Sequence, residues 1–329
     1  MPCPVVAFAS GRSNIGTTAL VQHLAWMLSD LGLRVLTADF DPQSNLTSTF
    51  LDESRLEDLW KTETEPDTVY GCLQRMMEGG VTVARSRLER LTEGLALLPG
   101  DPSLSRLEDS LAKEWLGGLK HQTGFQKTLT FGRLLQESSA DHAADLVLID
   151  PGPNLAAVSR AALLVSDYIV MPVAPDPLSR RALRVLGLSL QDWGDHWQKR
   201  LSMTAGAELP GGRPEPIGYI LSLGGLRQTF SLPREAGWRT QIPAIYHEAV
   251  LGRPATPTLS LEEDPHCIFI LEPFPSLISM AREAHKPIFH LKPADGAAGS
   301  HLVAVQRVQR DFEKLAREIC RRVGVKISS

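Results

Sequence analysis

Only four cysteines occur in 329 residues, at Cys3, Cys72, Cys267 and Cys320, and none stands at CxxC or Cys/His spacing. That scatter excludes a recognisable zinc or iron–sulfur motif, argues against a disulfide framework and reads as four plain thiols. The chain also lacks any run of about 18 consecutive apolar residues, the length of a membrane span. Met1-Pro2-Cys3-Pro4 leads into a short apolar segment without the basic region of a signal peptide, so the expected location is cytoplasmic. Neither sign of charge dominates. The 34 Lys+Arg against 38 Asp+Glu give −4 overall, so nucleic-acid contact would require a local basic patch. Lysine is missing altogether before Lys61. What is present, 43% hydrophobic and 22% charged residues, is ordinary globular composition and excludes disorder as the class.

Pro4–Ser10 (PVVAFAS) is an apolar run of strand length, followed after a small polar loop by helical spacing from Thr17 to Leu31. Leu33–Asp39, Asp145–Asp150, Tyr168–Ala174 and Pro216–Leu223 are further nearly continuous apolar runs, the pattern of strands covered on both faces by helices. Strands alternating with helices predict an α/β fold with a doubly wound, mostly parallel sheet. Residues 1–329 read as one domain, with 52–141 as a helical insertion that holds a single short apolar run, Leu95–Leu98, and with Gly206–Pro216 as a loop.

The strand, the loop Arg12-Ser13-Asn14-Ile15-Gly16 and the helix start Thr17-Thr18 occupy the place where α/β proteins hold phosphate against helix N-terminal amides. A Ser/Asn-rich turn that merely caps the helix fits the same residues. Two strands also end in carboxylates, at Asp39-Phe40-Asp41 and at Ile149-Asp150. A single such aspartate is often a helix cap. Three beside a phosphate-type loop point instead to Mg²⁺ held through water and to an oriented attacking water.

With DFDPQSNLT, ADLVLIDPGPN, YIVMPVAPDPLSRRAL and MAREAHKPIFHLKPADGAAGSH, nearly the whole chain resembles the ParA/MinD/Soj family of deviant Walker ATPases, in its long ParA-like branch. The resemblance implies a P-loop NTPase fold, ATP or ADP with Mg²⁺ as ligands, and a sandwich homodimer that partitions DNA or positions cargo, working with an adaptor protein and non-specific, nucleoid DNA. It places the family loop K-G-G-V-G-K-T-T on Arg12, Ser13, Asn14, Ile15, Gly16, Thr17, Thr18 and Ala19, so both lysines are gone. The lysine that reaches the partner's nucleotide becomes Arg12, and the one that cradles the β/γ-phosphates becomes Thr17. By the same resemblance Asp41 orients the attacking water, Thr18 and Asp150 hold Mg²⁺, and Asp39 supports the loop and the metal shell. A glycine position occupied by Ser13 is expected to be strained, whereas Asn14 tolerates a left-handed backbone. ATPase activity is the family's property. Without the lysines the expectation is weak or lost hydrolysis, or a scaffold that never turns nucleotide over.

Across 298–325, Val305, Val308, Phe312, Leu315 and Ile319 recur at three- and four-residue intervals, with Arg307, Arg310, Lys314, Arg317 and Arg321 nearly opposite. This predicts an amphipathic helix whose basic face is either a DNA-backbone contact or a solvated face paired with Asp311, Glu313 and Glu318. Trp26, Trp60, Trp115, Trp193 and Trp197 read as core or dimer contacts, and His266 and His285 as structural, without metal-ligand company.

Overall fold

The computed structural model describes residues 3–61, 67–77, 88–117, 125–203, 211–223, 237–255, 259–272 and 274–327. An eight-stranded sheet organises it. The strands are β1 (Val5–Phe8), β2 (Val35–Asp39), β3 (Glu89–Arg90), β4 (Leu95–Leu98), β5 (Leu146–Asp150), β6 (Tyr168–Val173), β7 (Glu215–Ser222) and β8 (Cys267–Leu271), in the order β3-β4-β2-β5-β1-β6-β7-β8. Every pairing is parallel except β3 with β4.

The helices are α1 (Thr17–Asp30), α2 (Asn45–Phe50), α3 (Glu53–Trp60), α4 (Val69–Met77), α5 (Glu108–Gly117), α6 (Gln126–His142), α7 (Ala157–Leu164), α8 (Pro177–Met203), α9 (Trp238–Ile245), α10 (Pro275–Glu283) and α11 (Ser300–Val323). Side chains alternate across the sheet as strand geometry demands. Val6, Phe8, Leu146 and Leu148 meet α1, α10 and α11 on one face, and Ala7, Val147, Ile149 and Met171 meet α4 to α9 on the other. Burial on both faces explains why the central strands read as unbroken apolar runs.

Residues 52–141 are not purely helical. Leu95–Leu98 is β4, paired parallel with β2 from Val35↔Leu95 to Ala38↔Leu98, and α6 then returns the chain to β5. Of the loop read at Gly206–Pro216, residues 206–210 lie outside the described residues, and β7 begins at Glu215. All four cysteines are free thiols. Trp193 and Trp197 are buried, whereas Trp60 on α3 is 38% exposed.

Candidate nucleotide site

The sheet's C-terminal edge is where the sequence's carboxylates meet. Asp39 and Asp150 end adjacent strands in direct register, and the loop leaving β1 rises beside them because β1 lies next to β5. A cleft of about 460 Å³ opens there, lined by every residue from Arg12 to Ala19 and by Ser10, Asp41, Gln43, Asn45 and Asp150, among others.

The loop's shape comes from its backbone. Gly11, Asn14 and Gly16 have φ of 61°, 63° and 89°, left-handed values that glycine adopts freely and asparagine tolerates. Ser13 is not among the residues with positive φ, so the strain expected of it is absent. The Thr17 hydroxyl donates to Ser10 Oγ at 3.3 Å, and Ser222 at the end of β7 donates to the Ile15 carbonyl at 3.1 Å. These contacts hold the start of α1 facing the cleft.

Thr18 Oγ1 donates to Asp150 Oδ2 at 2.7 Å, which brings a hydroxyl and a carboxylate to one point. Asp150 also accepts the Gly152 amide, while burial and the nearby Asp41 charge act against ionisation. Burial is the larger effect and lifts the Asp150 carboxyl to about 6. Asp41 lines the cleft with 1% exposure and accepts the Gln43 amide at 3.0 Å and Asn45 Nδ2 at 3.1 Å. Gly152 makes room for it: φ is 79°, and a Cβ there would come within 2.8 Å of Asp41 Oδ1.

Asp39 is the residue expected to support the loop and the metal shell. It is fully buried, it is not among the cleft's lining residues, and its oxygens accept the Asp41 amide, the Thr47 amide and the Thr47 hydroxyl. Burial first, and then Asp150, push its carboxyl up to about 8. Asp39 thus braces the turn that carries Asp41.

Arg12 packs against the start of α8. Its guanidinium meets Asp176 Oδ1 at 2.5 Å and Ser179 Oγ at 2.8 Å, at the start of α8. His23, another lining residue, is a buried imidazole held at about 4 by desolvation, bridging the Ala19 carbonyl and the Ile288 amide. It is therefore neutral. Sequence reading missed the third wall of the cleft, Ile278, Ala281 and Arg282 of α10, because those residues lie some 260 positions from the loop.

The basic row of α11 is partly paired with its own helix: Arg307 with Asp311 at 3.9 Å, Arg317 with Glu313 at 2.9 Å and Arg321 with Glu318 at 2.7 Å. Arg310 and Lys314 are exposed without a carboxylate partner among the described residues. The stripe Val305, Val308, Phe312, Leu315 and Ile319 is buried as expected.

Elsewhere, His266 has more company than its sequence neighbours suggest. Ligand-type atoms of His247, Asp264 and His266 lie within 4.8 Å of one another. The Asp264 carboxylate there already accepts the Tyr219 hydroxyl at 2.8 Å and the His266 amide at 2.9 Å. No helix among the described residues is long and apolar enough to cross a membrane.

Comparison with known proteins identifies the family and the fold. A family profile described as an AAA domain (AAA_31) matches residues 3–203, more than half of the chain. Over 169 residues the chain is 30% identical to the chromosome-partitioning ATPase Soj of Thermus thermophilus, covering 51% of this chain and 53% of Soj. The chain spans about half the length, or less, of the curated relatives it first matches. Among solved structures, an McdA–ATP complex of Cyanothece superposes with a TM-score of 0.60 at 18% identity, covering 100% of this chain and 99% of that one. The pNOB8 ParA bound to nonspecific DNA does so with a TM-score of 0.59 at 19% identity, covering 98% and 99%. The chain belongs to the AAA-domain family AAA_31 and, within it, to the ParA/Soj/MinD group of P-loop proteins.

Proposed function

We propose that this protein is a nucleotide-dependent switch of the partitioning type, binding ATP or ADP with Mg²⁺ in the cleft of residues 11–18 and hydrolysing it weakly or not at all. The observation that carries this reading is the meeting of Thr18 Oγ1 with Asp150 Oδ2 at the start of α1, beside Asp41. An oxygen-only donor set suits Mg²⁺, and amides at a helix start suit phosphate. Bound Mg²⁺ would neutralise phosphate charge. The chain's own residues would orient it: Thr18 and Asp150 as ligands, Asp41 holding the attacking water, and loop amides on the phosphates. Turnover is expected to suffer because no lysine stands at Thr17, and because Arg12, the remaining loop cation, is held by Asp176.

The switch would act as a homodimer. Leu178, Val185 and Leu188, exposed along one side of α8 next to the Arg12–Asp176 pair, offer an apolar surface for a second copy. Arg310 and Lys314, with Arg307, Arg317 and Arg321, would supply a non-specific, nucleoid DNA contact, in keeping with the fold shared with pNOB8 ParA. An adaptor protein would read the state. The McdA–ATP complex, of the same fold, supports the choice of ligand.

Calorimetric titration with ATP and Mg²⁺, alongside phosphate release, tests the reading. Binding that is weakened in Asp150→Ala, and any phosphate release that is lost in Asp41→Ala while binding persists, are expected. Absence of binding by the natural chain ends it, and turnover as fast as a two-lysine relative ends the hydrolysis claim. Binding without any turnover or nucleotide-dependent dimer favours a scaffold, a reading that the missing lysines also favour.

A further inference from the structure

A triphosphate entering this cleft brings several negative charges to a wall that already carries Asp41 and Asp150. The cleft's lining holds two permanent cations, Arg12 and Arg282, together with the neutral imidazole of His23. Arg12 is engaged by Asp176 and Ser179. Arg282 is exposed and, among the described residues, its side chain makes no ion pair or hydrogen bond.

Its placement is built rather than incidental. Ile278, Ala281 and Arg282 fall at i, i+3 and i+4 of α10, hence on one helix face, and all three line the cleft. Leu277 and Ala281 are buried and fix the helix against the sheet. The turn that ends α10 is closed by Lys286 N to the Ala281 carbonyl at 3.0 Å, with His285 at φ 48°. Lys286, the next cation along, is occupied by Asp295 at 2.9 Å.

We propose that Arg282, presented by α10 across the cleft from the loop of residues 11–18, is the phosphate-binding cation of this site and takes over in cis the charge missing at Thr17. Its ligand is the polyphosphate of a nucleoside triphosphate. A guanidinium suits that role because its planar fork engages two phosphate oxygens at once, where an ammonium offers a point charge. The inference rests on the nucleotide binding proposed above.

The test is titration of the full chain with ATP–Mg²⁺ and, separately, with inorganic tripolyphosphate, which has phosphates but no base. Loss of one charge-assisted contact predicts that Arg282→Ala weakens both probes roughly ten- to a hundredfold. Arg282→Lys should recover part of that loss, and Glu283→Ala, one position along on the same helix, should bind as the natural chain does. Circular dichroism confirms that each variant is folded, with Arg282→Gln as a second neutral replacement. If Arg282→Ala and Arg282→Gln bind both probes as tightly as the natural chain, Arg282 is not the cation, although the nucleotide site survives. Weakening for ATP but not for tripolyphosphate also overturns the proposal. If the natural chain binds neither probe, the nucleotide reading falls and this inference falls with it.

Discussion

Arg12→Ala should destabilise the protein by about 1–2 kcal/mol, between the value of a charge-assisted hydrogen bond and that of an exposed ion pair. The side chains of Arg12 and Asp176 are 28% and 17% exposed, so solvent screens their pair only in part. Removing the guanidinium does not strand the carboxylate, because Asp176 still accepts the Ser179 amide and hydroxyl, both at 2.9 Å. That keeps the cost well below the penalty of an unpaired buried charge. Urea denaturation of Arg12→Ala, Asp176→Asn and the double variant isolates the pair, with an expected coupling of about 1 kcal/mol. The same pair sets a functional balance. A cation required across a dimer interface must first leave Asp176, so Asp176→Asn should raise the ATP-dependent dimer fraction measured by light scattering, while Arg12→Ala should abolish it. Coupling below about 0.3 kcal/mol, the usual error of additivity, would mean that the guanidinium is not held by Asp176, and the argument would fail.

Three further outcomes follow from the site. Thr17→Lys restores a cation at the start of α1 and should tighten ATP–Mg²⁺ binding about ten- to a hundredfold and raise phosphate release; unchanged binding would show that the loop is not a phosphate cradle. Because the Asp150 carboxyl titrates near 6 rather than 3.8, Mg²⁺-dependent nucleotide affinity should fall as pH drops from 7 to 5, and Asp150→Asn should flatten that profile. The stability term has the opposite sense. A raised carboxyl keeps its proton in the native state between about pH 4 and 6, so its contribution declines as pH rises through that window, by about 3 kcal/mol at most, which urea midpoints taken across the window would register. Gly152→Ala meets a left-handed φ and the Asp41 carboxylate together, and should cost about 1–3 kcal/mol and displace Asp41, read as lowered stability with slower phosphate release.

Five strands of this sheet were legible because helices cover both of their faces, which leaves Val, Ile and Leu in unbroken runs, two of them ending at carboxylates. The strand β4 was visible as Leu95–Leu98 yet not as part of the sheet, since four residues among helices carry no partner signal of their own. The short strand β8, CIFIL, pairs only with β7 among the described residues and carries no signal of its own for a related reason. Local geometry at the loop was readable through Asn14 and Gly16, whose backbone needs are written in residue type. Long-range pairings were not. The contacts of Arg12 with Asp176, and of α10 with the cleft, join positions 164 and more residues apart, and nothing in local spacing reports them. The charge of this site therefore has a different source from its shape. Shape resides in left-handed turns, in Asp39 bracing the segment that carries Asp41, and in β7 buttressing Ile15, none of which involves a lysine. Losing the lysines can remove positive charge while leaving the cradle standing, and a cation from any element that overlooks the cleft is free to supply it.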